Sequence, residues 1–336
     1  MFSADALAER IGGALFGAPP FALTGMGSLE SAGPRDVVVL FEGGRAAHRL
    51  AACGAGLLVH GPGCAGAFPG ARIEVDAPRA AFSLLLDLFR PEASPPSGVH
   101  PAAWVHPDAR LGAGVSVGPG AVVEAAEIGD GCVIGPQVHV ASGVVLGPGC
   151  RLASGCRVLV GTLGAGVVIG PGSVLGGTGF GYAPPDASGV RAPIPQRGGL
   201  RVGDGAEIGS LCAVDRGTLD DTEIGPHARL DNLIQVGHNA RVEAGAVLCG
   251  QAGLAGSVTI GAGAVLAGQA GVTDHVTVGP GAVLLARAAA FRDVPEGAVV
   301  GGVPARPRSR WLAEKATLSR LTRARRAGLE DSDEQP

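Results

Sequence analysis

Residues 224–284 read I-GPHARL-DNLIQV-GHNARV-EAGAVL-CGQAGL-AGSVTI-GAGAVL-AGQAGV-TDHVTV-GPGAVL, and every hexad in this stretch ends on Ile, Leu or Val. An α-helix repeats every 3.6 residues and a simple strand every two, so neither explains a strict period of six. Short strands folded around a triangular prism explain it, because each edge then points one aliphatic plug inward. The pattern therefore predicts a parallel β-helix with about 18 residues in each coil.

The period extends towards the N-terminus from this stretch. It begins near residue 105 and runs to residue 175, with two steps of five, and it is interrupted by GGTGFGYAPPDASGVRAPIPQRGG at residues 176–199. A long excursion from a repeat core usually projects from one face and often serves binding. We therefore expect residues 176–199 to lie beside a functional site.

The flanking segments predict smaller elements around a fold that is mainly β. Residues 1–97 lack the period and alternate helix-like with strand-like segments, which predicts a small α/β domain ending in the linker PEASPPSG. Residues 98–305 form the predicted β-helix. Residues 306–336 predict a basic helix over 309–329, followed by an acidic tail.

Composition excludes several classes of function. The net charge is −4, so no general attraction to nucleic acid or anionic lipid follows. The seven cysteines form no CxxC pair, and four of them precede a plug by two residues, which predicts buried reduced thiols in a cytoplasmic protein. No stretch reaches the roughly 20 apolar residues of a membrane helix, and MFSADALAERIGG is not a secretory signal.

His238 is the strongest candidate for acid–base chemistry. It follows the plug Val236 and a turn glycine, which predicts an outward-facing corner where an imidazole can take a proton near neutral pH. Asp231 lies one edge earlier and could orient an imidazole in the same or an adjacent subunit. His275 follows by two coils plus one residue, so strand spacing predicts about 10 Å between the two histidines on one side. Such a pair suits acyl transfer, one as base and one stabilising an oxyanion or the thioester.

Other chemistries have weaker support. The sequence has no HxxxH or HxH spacing and no Cys-His cluster that would indicate a metal site. It has no GxSxG, and glycine is so frequent that a GxGxxG match carries no information. The C-terminal segment is basic. It forms either a packed helix whose basic face is exposed to solvent or a surface that binds an acidic protein. The candidate docking residues are Arg306, Arg308, Arg310, Lys315 and Arg320.

Several sequence blocks together resemble a known family. They are LTGMGSLESAGPRDVVVL (23–40), TGFGYA (178–183), IPQRGGLRVGDGAEIG (194–209), AVDRGTLDDTEIG (213–225), LDNLIQVGHNARV (230–242) and GGVPARPRSRW (301–311). Through them the chain resembles, over almost its full length, the bacterial UDP-3-O-acylglucosamine N-acyltransferases of lipid A biosynthesis. The resemblance implies a left-handed β-helix and a homotrimer with active sites between subunits. It also implies transfer of a 3-hydroxyacyl group from acyl carrier protein to the 2-amine of a UDP-3-O-acylglucosamine.

The resemblance also implies roles for individual residues. His238 matches the general base, with Asn239 beside it and Asp231 upstream, and His275 matches a second active-site histidine. The basic terminal helix matches the region that meets the acidic carrier protein. No metal or resident cofactor is implied, because phosphopantetheine arrives on the carrier protein.

The nucleotide-binding residues depart from the family's pattern. The family's first domain, which binds the uridine, stacks uracil on a Phe and a Tyr with an Asn nearby, whereas alignment on LTGMGSLESA places Val39, Arg45 and Glu42 there. Arg45 could lie over the uracil plane, and Phe41 could substitute if the register differs.

The excursion carries further candidates for contact with substrate. They are Phe180, Gly181 and Tyr182, and they follow Thr178, which stands where the family usually has Asp.

Two other interpretations remain open. The missing uracil stack allows a related hexapeptide-repeat sugar acyltransferase with a different acceptor or an acyl-CoA donor. A non-catalytic scaffold built on the prism is the other, and the block DNLIQVGHN argues against it.

Overall fold

The computed structural model describes residues 1–41, 47–64, 68–91 and 95–330, with residues 47–48 and 323–330 as backbone only. The chain divides into two compact units, Met1–Ser94 and Pro95–Pro336. The C-terminal helix belongs to the second unit.

The first unit is a small α/β fold around a five-stranded sheet, in which the order across the sheet is Ala14–Phe16 (β1), Ala71–Glu74 (β5), Leu57–His60 (β4), Asp36–Leu40 (β3) and Gly25–Met26 (β2). Strands β2 to β5 are parallel to their neighbours, and β1 pairs antiparallel with β5. Leu7, Leu57, Ile73 and Leu85 form part of its buried core. Its elements are α1 (Ala4–Ile11), β1 (Ala14–Phe16), β2 (Gly25–Met26), β3 (Asp36–Leu40), α2 (Ala47–Leu50), β4 (Leu57–His60), β5 (Ala71–Glu74) and α3 (Pro78–Phe89).

The second unit is the predicted parallel β-helix, with three sheets that form three faces. The first face contains Trp104–Val105, Val122–Val123, His139–Val140, Arg157–Val158, Val174–Gly177, Ala213–Asp215, Gln235–Val236, Gly253–Leu254, Gly271–Val272 and Ala289–Ala290. The second contains Arg110–Leu111, Glu127–Ile128, Val145–Leu146, Thr162–Leu163, Leu200–Val202, Thr222–Ile224, Arg241–Val242, Thr259–Ile260 and Thr277–Val278. The third contains Gly98–Val99, Ser116–Val117, Val133–Ile134, Arg151–Leu152, Val168–Ile169, Glu207–Ile208, Arg229–Leu230, Val247–Leu248, Val265–Leu266, Val283–Leu284, Val299–Gly301 and Arg306–Pro307. The mainly β class and the β-helix are thus confirmed, and the left-handed sense remains a prediction.

The hexad explains the shape of each coil. The plug and the residue two before it both face the interior, as Val236 and Ile234 do, and both are buried. The third residue after the plug adopts a left-handed conformation, as glycine at many corners and as another residue at ten, among them Asn239 (φ 60°) and His275 (φ 58°). Such a residue closes a tight turn, so every hexad supplies one flat edge and one corner. The four cysteines predicted to be interior are buried, and all seven are free.

The excursion leaves the first face after Gly177 and returns at Leu200. It forms a narrow hairpin, in which Tyr182 and Pro193 make an antiparallel bridge. Its returning limb is fastened to the coil, because the backbone N–H of Arg197 donates to the Thr218 carbonyl (2.8 Å). The hairpin is therefore held against the corner that follows the first face.

The C-terminal helix, α4 (Arg308–Glu330), agrees within a residue of each predicted end. It starts after Arg306–Pro307, which pairs antiparallel with Val299–Gly301. Among the described residues, no helix is both long and apolar enough to cross a membrane.

Candidate active site

A pocket of about 630 Å³ opens where the excursion meets the β-helix. The residues that line it come from the excursion and from three stacked coils. They are Thr178, Gly179, Phe180, Gly181, Tyr182, Pro193, Ile194, Asp215, Gln235, Gly237, His238, Leu254, Ala255 and Gly256. The pocket brings together His238 and the three excursion residues that the sequence indicated.

The hydrogen bonds of His238 define which ring nitrogen can act as a base. The Asn239 amide has a fixed orientation, because its Nδ2 donates to the Asp220 carbonyl (3.1 Å) and its Oδ1 accepts from the Thr218 backbone N–H (3.0 Å). His238 Nδ1 lies 3.0 Å from that Oδ1, so Nδ1 must carry the proton and donate it. Nε2 therefore has the free lone pair of the neutral imidazole.

A second acceptor supports the same tautomer. The Thr218 hydroxyl donates to Gln196 Oε1 (2.6 Å), so its oxygen can accept from His238 Nδ1 at 3.3 Å. Gln196 is buried and belongs to the excursion. The contact thus couples the position of the hairpin to the orientation of the imidazole. The block AVDRGTLDDT contained Thr218, but nothing in its spacing distinguished this threonine.

Two glycines leave room for the imidazole. A Cβ on Gly179 would lie 2.7 Å from His238 Cβ, and a Cβ on Gly256 would lie 2.7 Å from Nε2. Neither distance allows a real side chain without movement of the ring. The ring is half-buried between the two backbones, and the part of the chain that the structure describes offers no hydrogen-bond partner to Nε2.

Asp215 is a pocket residue that the sequence did not indicate. Burial raises its pKa to about 6, although the charge of His238 and the Gln235 hydrogen bond act in the opposite direction. Gln235 Nε2 donates to Asp215 Oδ2 at 3.1 Å. Both residues come from the first face, where their coils are adjacent.

Asp231 occupies a different corner from His238. Its carboxylate accepts from the backbone N–H of Asn232 (2.7 Å) and of Gly250 (2.9 Å), and it does not line the pocket. One hexad is one edge of the triangle, so residues one hexad apart diverge around the coil. Contact between Asp231 and an imidazole of a neighbouring copy stays a prediction.

His275 lies on the same column of corners as His238. The backbone N–H of Ser257 donates to the His238 carbonyl (2.9 Å), and that of His275 donates to the Gly256 carbonyl (3.1 Å). The two histidines are therefore two coils apart along one corner, or about 10 Å by strand spacing. His275 is exposed and is not among the lining residues of the pocket.

The excursion presents two aromatic rings at the pocket. Phe180 is 83% exposed and packs edge to face against Tyr182, with ring centroids 5.1 Å apart. Gly181 lies between them, and its carbonyl accepts from the Ile194 backbone N–H (2.9 Å). The rings form an apolar wall that a ligand in the pocket would contact.

The candidate nucleotide residues lie in the first unit. Phe41 is partly exposed, packs edge to face on Phe82 (5.2 Å) and carries the Arg79 guanidinium 5.0 Å from its ring centre. Arg45 and Glu42 lie outside the described residues. Phe41 follows β3 at the carboxyl edge of parallel strands, where ligands commonly bind in open α/β sheets.

The candidate docking residues surround the start of α4. Arg306 and Arg310 both pair with Glu314, at 2.7 and 3.1 Å. Arg308, Lys315 and Arg320 are exposed. Within the described ranges, no group of three or more His, Cys, Asp or Glu side chains is placed to hold a metal ion.

Comparison with known proteins agrees with the repeat and the fold. Residues 125–159 match the family model described as bacterial transferase hexapeptide (six repeats). The Arabidopsis UDP-N-acetylglucosamine acyltransferase superposes with a TM-score of 0.56 at 28% identity, over 63% of this chain and 73% of that one. The Francisella novicida enzyme of the same name has a TM-score of 0.51 at 21% identity, over 65% and 73% of the two chains, which supports the fold alone. The chain is thus a hexapeptide-repeat β-helix protein, and its residues 125–159 are similar to the bacterial transferase hexapeptide family.

Curated relatives narrow this class. The chain is 50% identical over 155 residues to the UDP-3-O-acylglucosamine N-acyltransferase of Caulobacter vibrioides (strain NA1000 / CB15N), over 46% of this chain and 44% of the relative. It is 36% identical over 159 residues to the protein of that name from Methylobacterium sp. (strain 4-46), over 47% and 44%. These matches confirm the resemblance to the UDP-3-O-acylglucosamine N-acyltransferases over slightly less than half of the chain, rather than over almost its full length. In both alignments the chain spans less than half the length of the relative.

Proposed function

We propose that the protein is an N-acyltransferase that moves a 3-hydroxyacyl group from acyl carrier protein to the 2-amine of a UDP-3-O-acylglucosamine. The observation that carries the proposal is the His238 imidazole, whose Nδ1–H is bonded to oxygen acceptors while Nε2 is free at the pocket. The names of the curated relatives supply the reaction class.

The chemistry requires one base and no metal. The sugar nitrogen attacks the thioester carbonyl carbon, forming a C–N bond as the C–S bond breaks. His238 Nε2 takes the proton that the nitrogen loses, and the imidazolium returns it to the departing thiolate. The products are an amide and a free thiol, so atoms and charge balance. Holding both substrates at one rigid pocket supplies much of the remaining acceleration.

The partners follow from the same proposal. An acidic carrier protein would meet the exposed basic side chains near the start of α4, and its phosphopantetheine arm would deliver the acyl chain, so the reaction would be cytoplasmic. A homotrimer would place a neighbouring copy beside each pocket, and His275 would then be the second histidine of the site. Phe41 is the described candidate for contact with the uracil.

The first experiment compares two corner histidines. His238→Ala should lower kcat by about 10²- to 10⁴-fold, which is the usual contribution of a general base. His227→Ala is the control, because His227 is an exposed histidine at a different corner, although its positive φ (56°) is not shared by His238. Both variants should unfold at the temperature of the parent. Turnover of His238→Ala at the parent rate would refute the role of the imidazole.

The donor is tested separately. Acyl carrier protein and coenzyme A carrying the same 3-hydroxyacyl group are compared with one acceptor. We expect saturable transfer from the carrier protein, and transfer from acyl-CoA alone would instead indicate a related sugar acyltransferase. Size measurement in solution tests the trimer.

A further inference from the structure

Among the described residues that line the pocket, Asp215 is the only acid. The coil of Asp215 lies directly below that of His238, since Val214 pairs with Val236 across the two strands. A local irregularity between Leu175 and Gly177 pairs Gly177 with Asp215 on the other side. The fold therefore places one carboxylate and one imidazole at the same opening.

One oxygen of this carboxylate is available to a ligand. Oδ2 accepts from Gln235 Nε2 at 3.1 Å, while Oδ1 has no hydrogen-bond partner in the part of the chain that the structure describes. A Cβ on Gly177 would still be 3.7 Å from Oδ1, so that neighbour does not cover it. No arginine or lysine among the described residues forms an ion pair with Asp215.

The half-buried carboxylate of Asp215 has no positively charged side chain paired with it among the described residues. Removing it from water disfavours the charged form, and burial is the main cause of its raised pKa. Asp215 does not serve as the orienting acid of His238, because Nδ1 is already bonded to Asn239 and Thr218. The missing cation is therefore best supplied by a ligand in the pocket.

We propose that the Asp215 carboxylate binds the protonated amine of the acceptor and makes this pocket prefer an amino sugar to the corresponding hydroxy sugar. This inference rests on the proposed function, in which the acceptor is an amine. It concerns binding and adds no covalent step: the bound ammonium first gives one proton to water, and the free amine then reacts as proposed, with His238 taking the second proton. A hydroxyl would donate a weaker, neutral hydrogen bond to the same oxygen, whereas an ammonium gives a charge-assisted one.

The test compares UDP-glucosamine with UDP-glucose, which differ at the 2-amine and 2-hydroxyl. Affinities are measured by calorimetry for the parent, Asp215→Asn and His238→Ala. The parent should bind the amino sugar more tightly, and Asp215→Asn should reduce the ratio of the two affinities by about tenfold or more, because UDP-glucose loses only a weaker, neutral hydrogen bond. His238→Ala should retain the ratio, because the preference belongs to the carboxylate.

Two further variants separate this role from general effects. Asp186→Asn removes the same charge from the exposed tip of the excursion and should keep the parental ratio. Asp215→Ser removes the carboxylate with a smaller side chain and should lose the preference even if Asp215→Asn fails to fold. Equal affinity of the parent for both sugars, or an unchanged ratio in the Asp215 variants, overturns the inference. Failure of acyl transfer with the amine preference intact would instead refute the proposed function alone.

Discussion

Substitution of Gly256 tests most directly the position of the His238 imidazole, the proposed base. Its backbone conformation suits alanine, but the added Cβ would lie 2.7 Å from His238 Nε2 and 2.8 Å from Cε1. Ordinary contact begins near 3.5 Å, so the ring must move by about 0.8 Å. A displacement of this size at a reacting group costs about 10²-fold in rate. We therefore expect Gly256→Ala to lower kcat by about 10²-fold, which corresponds to about 2.7 kcal/mol.

The stability of the variant distinguishes displacement from unfolding. Alanine in place of glycine at an unstrained position stabilises a fold by about 0.4–1 kcal/mol through the unfolded chain. Gly271→Ala is the matched control, since Gly271 lies one coil further along the first face and its Cβ would meet nothing within 4 Å. Transfer rates are measured under single-turnover conditions and stability by urea unfolding. A Gly256→Ala protein that is stable and fully active would refute the placement of Nε2.

Three further predictions concern the site and its support. Asp215→Asn should raise the free energy of unfolding at pH 8 by about 1–2 kcal/mol and leave it unchanged near pH 3.5. The pKa of Asp215 in the folded protein, about 6, exceeds the ordinary 3.8, so ionisation of the carboxyl above pH 6 lowers the stability of the parent. Partial exposure of the carboxylate to solvent makes this loss smaller than the full pKa shift would give. Urea titrations at both pH values check this, and a loss of stability at pH 8 would contradict it. Asn239→Ala should lower kcat by about 10²-fold or less, because the Thr218 hydroxyl remains as one acceptor for Nδ1–H. Loss of the Asn239 acceptor should leave a mixture of the two imidazole tautomers in nitrogen NMR spectra, and a single retained tautomer would contradict this prediction. Leu248→Ala, at a fully buried plug, should cost about 2–5 kcal/mol by urea unfolding, and a cost below 1 kcal/mol would mean that the coil collapses around the cavity.

The hexad predicted the β-helix because the information is local. Each plug needs only the six residues of its own edge, so Val236 and Leu248 could be assigned from spacing alone. The corner position of His238 followed from the same count. The separation of His238 and His275 by two coils also followed, since the hexads between them are unbroken.

The partners of His238 could not be predicted by counting. Thr218 reaches the imidazole, and Gln196 reaches Thr218 from the excursion, which interrupts the period and its register. Asp215 pairs with Gly177 beyond an irregularity in the strand pairing, and the hexad period does not indicate that irregularity. Asp231 seemed close by sequence, yet one hexad carries the chain to another corner. Side-chain contacts between coils thus depend on how the excursion folds back onto the β-helix, and the hexad period does not specify this.

The architecture explains why the corner at His238 can carry several polar groups. The plugs fill the interior with aliphatic side chains, so the outward corners contribute little to the core and are free to vary. Successive coils stack at about 4.8 Å, which brings Thr218 and Gly256, from the coils on either side, against the His238 imidazole. Their positions are fixed by backbone hydrogen bonds between coils rather than by mobile loops. The excursion adds the remaining wall, and its bond through Gln196 to Thr218 makes the orientation of the base depend on the hairpin being seated. The Thr218 hydroxyl therefore links the hairpin to the imidazole, whose orientation Asn239 also holds.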